Sequence, residues 1–350
     1  MDFAKYKNDL ILKKLGSRSS INLISSKEMF NRIKEIPVII MACNIRIKHV
    51  VPGIMKASEE LNSIIGFELA KSEGDLSGGY TGQTPEDFVN MLLDYADKYK
   101  FSMPFFIHAD HITVKDTSEK NVEGAKKLIY AQIKAGFTSF AIDASFNEIP
   151  DNIKITTYLS KEIVDNGFGL ETEVGEVKST GQEAEITTVE EAVEYIEGLK
   201  SNNVFPQLLA INNGSKHGNY KPGEEVHIDL KRTLDIYNAI KKHNVCIAQH
   251  GITGTPLNII GQFADCGIRK GNVGTEWQNI AHRGLPPELM AKMKMWAENN
   301  GKDIKFATKE FKKEIDDIPS EYSQKIMDEA YIKTKEFILA FRSKDSANLL

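Results

Sequence analysis

The chain alternates short apolar runs with longer stretches in which apolar residues recur every three or four positions. Runs of strand length are "PVIIMAC" (37–43), "SIIGFEL" (63–69), "PFFIHAD" (104–110) and "FTSFAID" (137–143). They continue with "FGLETEV" (168–174), "PQLLAIN" (206–212), "VCIAQHG" (245–251) and "GIRKGNV" (267–273). Between them lie amphipathic stretches at 85–99, 118–135, 151–166, 188–201 and 229–243, with the period of surface helices. Two carry capping residues at their start. Thr84 stands ahead of Pro85, Glu86 and Asp87, and Thr187 ahead of "TVEEAVEYI". Eight strands followed by helices predict a parallel (β/α)8 TIM barrel of the α/β class. An open doubly wound sheet alternates in the same way, so the count of eight carries the prediction.

From about residue 285, after "GLPPE", the pattern becomes wholly helical. Residues 1–284 are therefore expected to form the barrel with an N-terminal helical segment. Residues 285–350 are expected to be a helical extension packed on the barrel or on a neighbouring subunit. A chain of 350 residues that is 41% hydrophobic and 27% charged suits a soluble globular protein. A formal net charge of −5 and the lack of a long basic tract argue against a nucleic-acid partner. No window approaches the roughly 18 apolar residues of a membrane span. The start, "MDFAKYKNDLILKK", has no apolar signal core. Cys43, Cys246 and Cys266 have neither zinc-finger nor redox-pair spacing and are expected to be buried, reduced thiols of a cytoplasmic protein.

The stretch "FFIHADHITVKD" (105–116) ends an apolar run with two histidines and an aspartate. Active sites of such barrels lie at the C-terminal ends of the strands. The predicted strand ends deliver Asn44, Ser72 in the following loop, Asp110 with His111, Asp143, Glu173, His217, His250 and Asn272. His111, His217 and His250 come from three different strand ends, the kind of set that holds a catalytic Zn²⁺ with one position open. His108 should share the barrel face of Asp110, two residues on, and reads as a supporting or packing histidine. His111 would fall on the opposite face if the strand continued, so as a ligand it is expected to have turned into the loop. His49, His227, His243 and His282 lie in helical or loop contexts and are expected at the surface.

Glu171 and Glu173 alternate with apolar positions and so face one side of their strand. Beyond them "KSTGQEAE" is polar and contains glycine, which suits a flap that closes a carboxylate over a substrate. "NNGSKHGNYKPG" and "QHGITGTP" each place a glycine, Gly218 and Gly251, directly after a histidine. Backbone there can approach an anion or a monovalent cation, and Lys221 adds a positive charge. A helix expected after Thr255 would present its N-terminal amides nearby. "KGNVGTE" adds Asn272 and the Thr275 hydroxyl. Phosphate sites commonly follow the last strands of a barrel.

Over roughly residues 35 to 285 these motifs resemble, in order, those of the class II, zinc-dependent ketose-bisphosphate aldolases. "HADH" is similar to that family's His-x-Asp-His, which implies Asp110 as the group handling the C4 hydroxyl proton and His111 as a zinc ligand. "IDAS" implies Asp143 at a second metal position or in the polar network beside the zinc. "ETEVG" implies Glu173 as a second-site metal carboxylate, and "GQE" implies Glu183 as the proton-abstracting base. "HGNYKPG" implies His217 as a ligand, Gly218 as a backbone contact and Lys221 as a phosphate contact. "QHGITGT" implies His250 as the third ligand. "ACN" and "SEG" bring Asn44 and Ser72 to the substrate site. Lys221, Thr253 and Thr275, with nearby amides such as that of Gly251, would then hold a phosphate. The implied substrate is a phosphorylated ketose cleaved through a dihydroxyacetone-phosphate enediolate, most like fructose 1,6-bisphosphate.

The chain also departs from the family pattern. Ile252-Thr253 replaces Gly-Ser, and Asn272-Val273-Gly274-Thr275 lacks the aspartate of Asn-x-Asp-Thr. "GGYTGQTPEDF" (78–88) instead resembles the non-catalytic subunit of tagatose-bisphosphate aldolase, so a partner-subunit role is the alternative. A metal-dependent barrel hydrolase would offer His-x-His on its first strand, where this chain has "MACN". The family implies a homodimer or homotetramer. Arg46, Arg269, Arg283 and Arg342 are the candidates for binding a distal phosphate.

Overall fold

The computed structural model describes residues 3–175, 186–219 and 226–350. Eight parallel strands close in chain order into a (β/α)8 TIM barrel. They are β1 (Ile40–Asn44), β2 (Ile65–Ala70), β3 (Phe105–Thr113), β4 (Ser139–Asp143), β5 (Gly169–Val174), β6 (Leu208–Ile211), β7 (Cys246–Gln249) and β8 (Ile268–Val273). Each overlaps one of the eight apolar runs. β1 pairs with both β2 and β8, so no strand edge is left open.

Side chains alternate across the wall. Met41, Cys43, Phe67, Leu69 and Ile107 join the large core beneath the surrounding helices. Ile40, Ala42, Phe106, Leu208, Ala210, Cys246 and Ala248 point inward and form a second cluster with Ile24, Met29, Phe30 and Ile33. The N-terminal helix Ser26–Ile33 therefore stoppers the bottom of the barrel. Phe30 meets Phe106 edge-on at 5.7 Å, and the Ser26 hydroxyl bonds Ser139 Oγ at 2.7 Å. With the lower interior filled by hydrocarbon, the polar inward residues are confined to the middle and the C-terminal mouth.

Three local expectations need correction. β3 does not end at Asp110 but runs to Thr113, with its register against β4 shifting between Ala109 and Ile112. His111 sits in this bulge with φ +41, so the extra residue re-aims it to the Asp110 face without leaving the strand. The helix Val189–Ser201 is capped by Thr188, in a reciprocal box with Glu191, because the cap hydroxyl must reach the amide three residues on. Thr187 instead donates to the Val174 carbonyl and accepts from the Asn212 amide, tying β5 to β6. After Thr255 there is only the four-residue helix Leu257–Ile260, too short to form an anion cradle. The helix that opens beside Thr253 is Thr275–Gly284, whose Glu276 amide donates to Thr253 Oγ1 at 3.1 Å.

Thr84 caps Pro85–Lys98 in a reciprocal box with Asp87, as its sequence signature predicts. Near the C-terminus, the helix Ser320–Ala340 packs along Val51–Glu60 of the same chain. Gly53 allows that approach: a Cβ there would stand 2.1 Å from the Met327 carbonyl oxygen. The Ile39 amide, just ahead of β1, donates to the Phe341 carbonyl.

Candidate active site

A cavity of about 1050 Å³ opens at the C-terminal mouth of the barrel. It is lined by Asn44, Ser72, Asp110, His111, Asp143, Glu173, His217, Gly218, His250, Gly251, Thr253, Asn272 and Thr275. Residues scattered over more than two hundred positions thus share one wall. Glu183 and Lys221 lie outside the described residues.

One donor nitrogen from each of His111, His217 and His250 lies within 4.8 Å of the others. Nε2 of His250 bonds Glu171 Oε1 at 2.8 Å, and its Nδ1 is buried with no hydrogen-bond partner among the described residues. Nδ1 of His111 lies 3.2 Å from Glu173 Oε2 and 3.6 Å from Asp143 Oδ2, while its Nε2 is buried with no hydrogen-bond partner among the described residues. Each of these two imidazoles is held by a carboxylate at one nitrogen and keeps the other buried and unmatched, within a cluster of three histidines. A divalent ion satisfies that arrangement, and carboxylates behind ligating histidines are what orients them in metal sites. His111, Asp143 and Glu173 form a second such group beside the first.

The charges fit the same picture. Burial opposes protonation of His111, yet Asp110 and Glu173 push its pKa well above the ordinary value, so the centre attracts positive charge. Burial, then the nearby Asp143, push the Glu173 carboxyl up to about 7. Burial, followed by the charge of His111, lowers His217 to about 4. Burial also acts to raise Asp110, but His111, His250, Lys270 and an Asn44 hydrogen bond outweigh it and hold Asp110 well below the usual carboxylate range. Both its oxygens accept amide hydrogens, from Asn44 at 2.9 Å and Asn272 at 3.0 Å.

Beneath the three histidines lies a buried charged layer whose members are scattered along the sequence. Lys270, fully buried on β8, donates to Glu171 Oε2 at 2.7 Å and sits 3.5 Å from Glu68 Oε2. It also lies 3.1 Å from His108 Nε2, while His108 Nδ1 bonds Ser139 Oγ. Burial, then Lys270, keep His108 neutral, and His108 thus supports the layer as its strand position suggested. The signal available in sequence was a charge two residues before a site residue on the same strand: Glu171 before Glu173, and Lys270 before Asn272.

Two histidines expected at the surface are not there. His49 is buried, with Nε2 2.7 Å from the Ile315 carbonyl. His282 lines the cavity, with its Nε2 buried and unmatched, because its helix turns it toward the mouth. Of the four arginine candidates, only Arg46 lines the cavity. Arg269 is tied to backbone carbonyls of Lys34, Ala264 and Ile268. Arg283 pairs with Glu329 and Arg342 with Asp265.

A closed (β/α)8 barrel with a three-histidine centre and a buried aspartate at its C-terminal mouth has the layout of a metal-assisted barrel enzyme. The chain belongs to the class-II fructose-bisphosphate aldolase family, whose profile matches residues 24–345. It is 28% identical over 274 residues to the probable fructose-bisphosphate aldolase of Bacillus subtilis (strain 168), covering 77% of this chain and 87% of that one. It is 28% identical over 277 residues to the fructose-bisphosphate aldolase of Geobacillus stearothermophilus, covering 78% and 87%. The fold is similar to the YdjI aldolase of Escherichia coli K12, with a TM-score of 0.66 at 20% identity, covering 93% of this chain and 99% of that one. The chain is thus a divergent class II aldolase, a lyase, of a generally metal-dependent family. Among the described residues no helix is long and apolar enough to cross a membrane.

Proposed function

We propose that this aldolase uses a zinc ion held by His111, His217 and His250 to cleave, or form, a phosphorylated ketose resembling fructose 1,6-bisphosphate. The observation that carries the reading is the clustering of His111, His217 and His250, two of which keep a buried, unmatched nitrogen. When bound, the ion would act as a Lewis acid toward the ketone and stabilise negative charge developing as the C3–C4 bond breaks. Asp143 and Glu173 would serve a second divalent position.

The protein's own groups do the rest. Asp110 receives the C4 hydroxyl proton during cleavage, and the amides of Asn44 and Asn272 hold its carboxylate in line for that transfer. The Thr253 and Thr275 hydroxyls, with backbone at Gly218 and Gly251, bind the phosphate of the dihydroxyacetone half. Gly218 and Gly251 have φ values of +102 and +67, which glycine adopts without strain. Glu183 serves as the base at the carbon of that half, and Lys221 adds to the phosphate site. The assembly is a homodimer or homotetramer working on soluble sugar phosphates in the cytoplasm.

The test is to strip the protein with a chelator, assay cleavage of fructose and tagatose bisphosphates, and titrate zinc back. Activity should vanish and return with about one ion per chain. Full activity after stripping, with a lysine trapped by borohydride in the presence of substrate, would overturn the metal mechanism.

A further inference from the structure

Asp110 marks where the aldehyde half of the substrate begins, and a chain of hydrogen bonds leads outward from it. The Asn44 amide lies 2.9 Å from Asp110 Oδ2 and 3.1 Å from Glu73 Oε2. Glu73 Oε1 accepts from Arg46 Nε at 2.7 Å, and Arg46 Nη1 donates to Gln278 Oε1 at 2.5 Å. Among the described residues Arg46 Nη2 has no hydrogen-bonded partner. Its side chain is only 15% exposed, so the guanidinium is held in place with donors to spare.

Nη2 faces Gly274. A Cβ at that position would come within 3.2 Å of Nη2 and 3.1 Å of Asn44 Oδ1. Any side chain at 274 would stand in front of the guanidinium, and a carboxylate there would pair with it. Glycine leaves the fork open to the cavity, which Arg46, Gly274, Asn44 and Gln278 all line. Glu73 orients Arg46 without occupying it. The Glu73 carboxylate also accepts from the Ala70 amide at 2.9 Å, the Tyr80 hydroxyl at 3.2 Å and the Asn44 amide, and so shares its charge among four donors. Lys71 and Lys305 line the same cavity and add positive charge.

We propose that Arg46, through the gap left by Gly274, reads an anionic group on the aldehyde half of the substrate, beyond the carbon whose hydroxyl Asp110 serves. That group is a phosphate or a carboxylate, either of which the guanidinium can take through paired N–H donors. The inference rests on the aldolase reading above and assigns the residue that recognises the aldehyde half, which that reading leaves unassigned. Arg46 is a specificity-determining residue, and Gly274 is the position that exposes it.

The experiment runs condensation of dihydroxyacetone phosphate with three hydroxyaldehydes of matched length: one phosphorylated, one ending in a carboxylate and one neutral. The ratio of kcat/KM for each charged aldehyde to the neutral one is compared in wild type, Arg46→Gln and Gly274→Asp. Wild type should favour one charged aldehyde by roughly tenfold to a hundredfold, the scale of one hydrogen bond to a charged group. Both variants should cut that ratio about tenfold, chiefly through KM for the charged aldehyde. The ratio does not depend on how much of each variant folds. The favoured arm identifies the anion. No preference in wild type, or an unchanged ratio in Arg46→Gln, overturns the proposal. Hydrogen exchange of dihydroxyacetone phosphate with deuterated water, run without aldehyde, separates the two claims. Its absence in wild type defeats the aldolase reading, whereas exchange without anion preference defeats only the role of Arg46.

Discussion

Nε2 of His250 and Oε1 of Glu171 meet at 2.8 Å inside the barrel, each side chain 1% exposed. The bond fixes which imidazole nitrogen carries the proton and leaves Nδ1 unprotonated, the form that the proposed zinc ion would require. Glu171→Ala should weaken zinc binding by roughly 10- to 100-fold, the usual loss when a carboxylate behind a ligating histidine is removed. Competition against a fluorescent chelator measures this directly. Affinity within twofold of wild type would mean that His250 needs no such support.

His217→Ala and Asp110→Asn should separate metal binding from proton transfer. The first should lose zinc and activity together. The second removes a base of nearly identical shape and should retain zinc, while kcat for cleavage falls by about 10² or more. Metal content by elemental analysis beside turnover gives the answer. Loss of metal in Asp110→Asn would show that Asp110 serves the ion instead.

The buried Lys270 ammonium compensates Glu171 and Glu68. Lys270→Met should destabilise the fold by about 3–5 kcal/mol, since it strands carboxylates away from water. Adding Glu68→Gln should recover part of that loss. Urea midpoints of the single and double variants decide, and strict additivity would show that the two groups are not coupled.

Gly53→Ala should be destabilising although alanine is the better helix former. The added methyl would meet the Met327 carbonyl, and the helix Ser320–Ala340 must shift to admit it. A cost of about 1–3 kcal/mol is the scale for such overpacking. An unchanged thermal midpoint would show that this helix rides loosely on the barrel.

Burial, with a contribution from Arg46, lowers the His282 pKa to about 4. The unfolded chain, with an ordinary histidine near 6.5, binds this proton first as pH falls. Stability from His282 should therefore be complete above pH ~7 and be lost between about pH 6.5 and 4. His282→Gln should flatten the stability–pH slope in that window. A slope identical to wild type would assign the acid sensitivity to other groups.

Much of the fold was legible because a strand covered on both faces must be apolar, and the intervening helices must be amphipathic. Eight such alternations, with Thr84 in its capping box, place the elements to within a few residues. The inward polar positions were legible too, since a period of two puts Glu171 with Glu173 and His108 with Asp110 on one face. The bulge at His111 was not. Nothing in "HADHIT" says that a residue will be left over when β3 pairs with β4, because register depends on both strands.

The amino-acid order by itself thus determined the elements, the barrel they close into and the residue types supplied to its mouth, through periodicity that each segment carries locally. Tertiary structure alone decided which of the buried charges are paired. Lys270 lies 99 residues from Glu171 along the chain, and Arg46 lies 232 from Gln278. Partners so distant are chosen by ring closure and packing, which no local pattern encodes. The same holds for the open donor of Arg46: its neighbour at Gly274 is set by the pairing of β1 with β8.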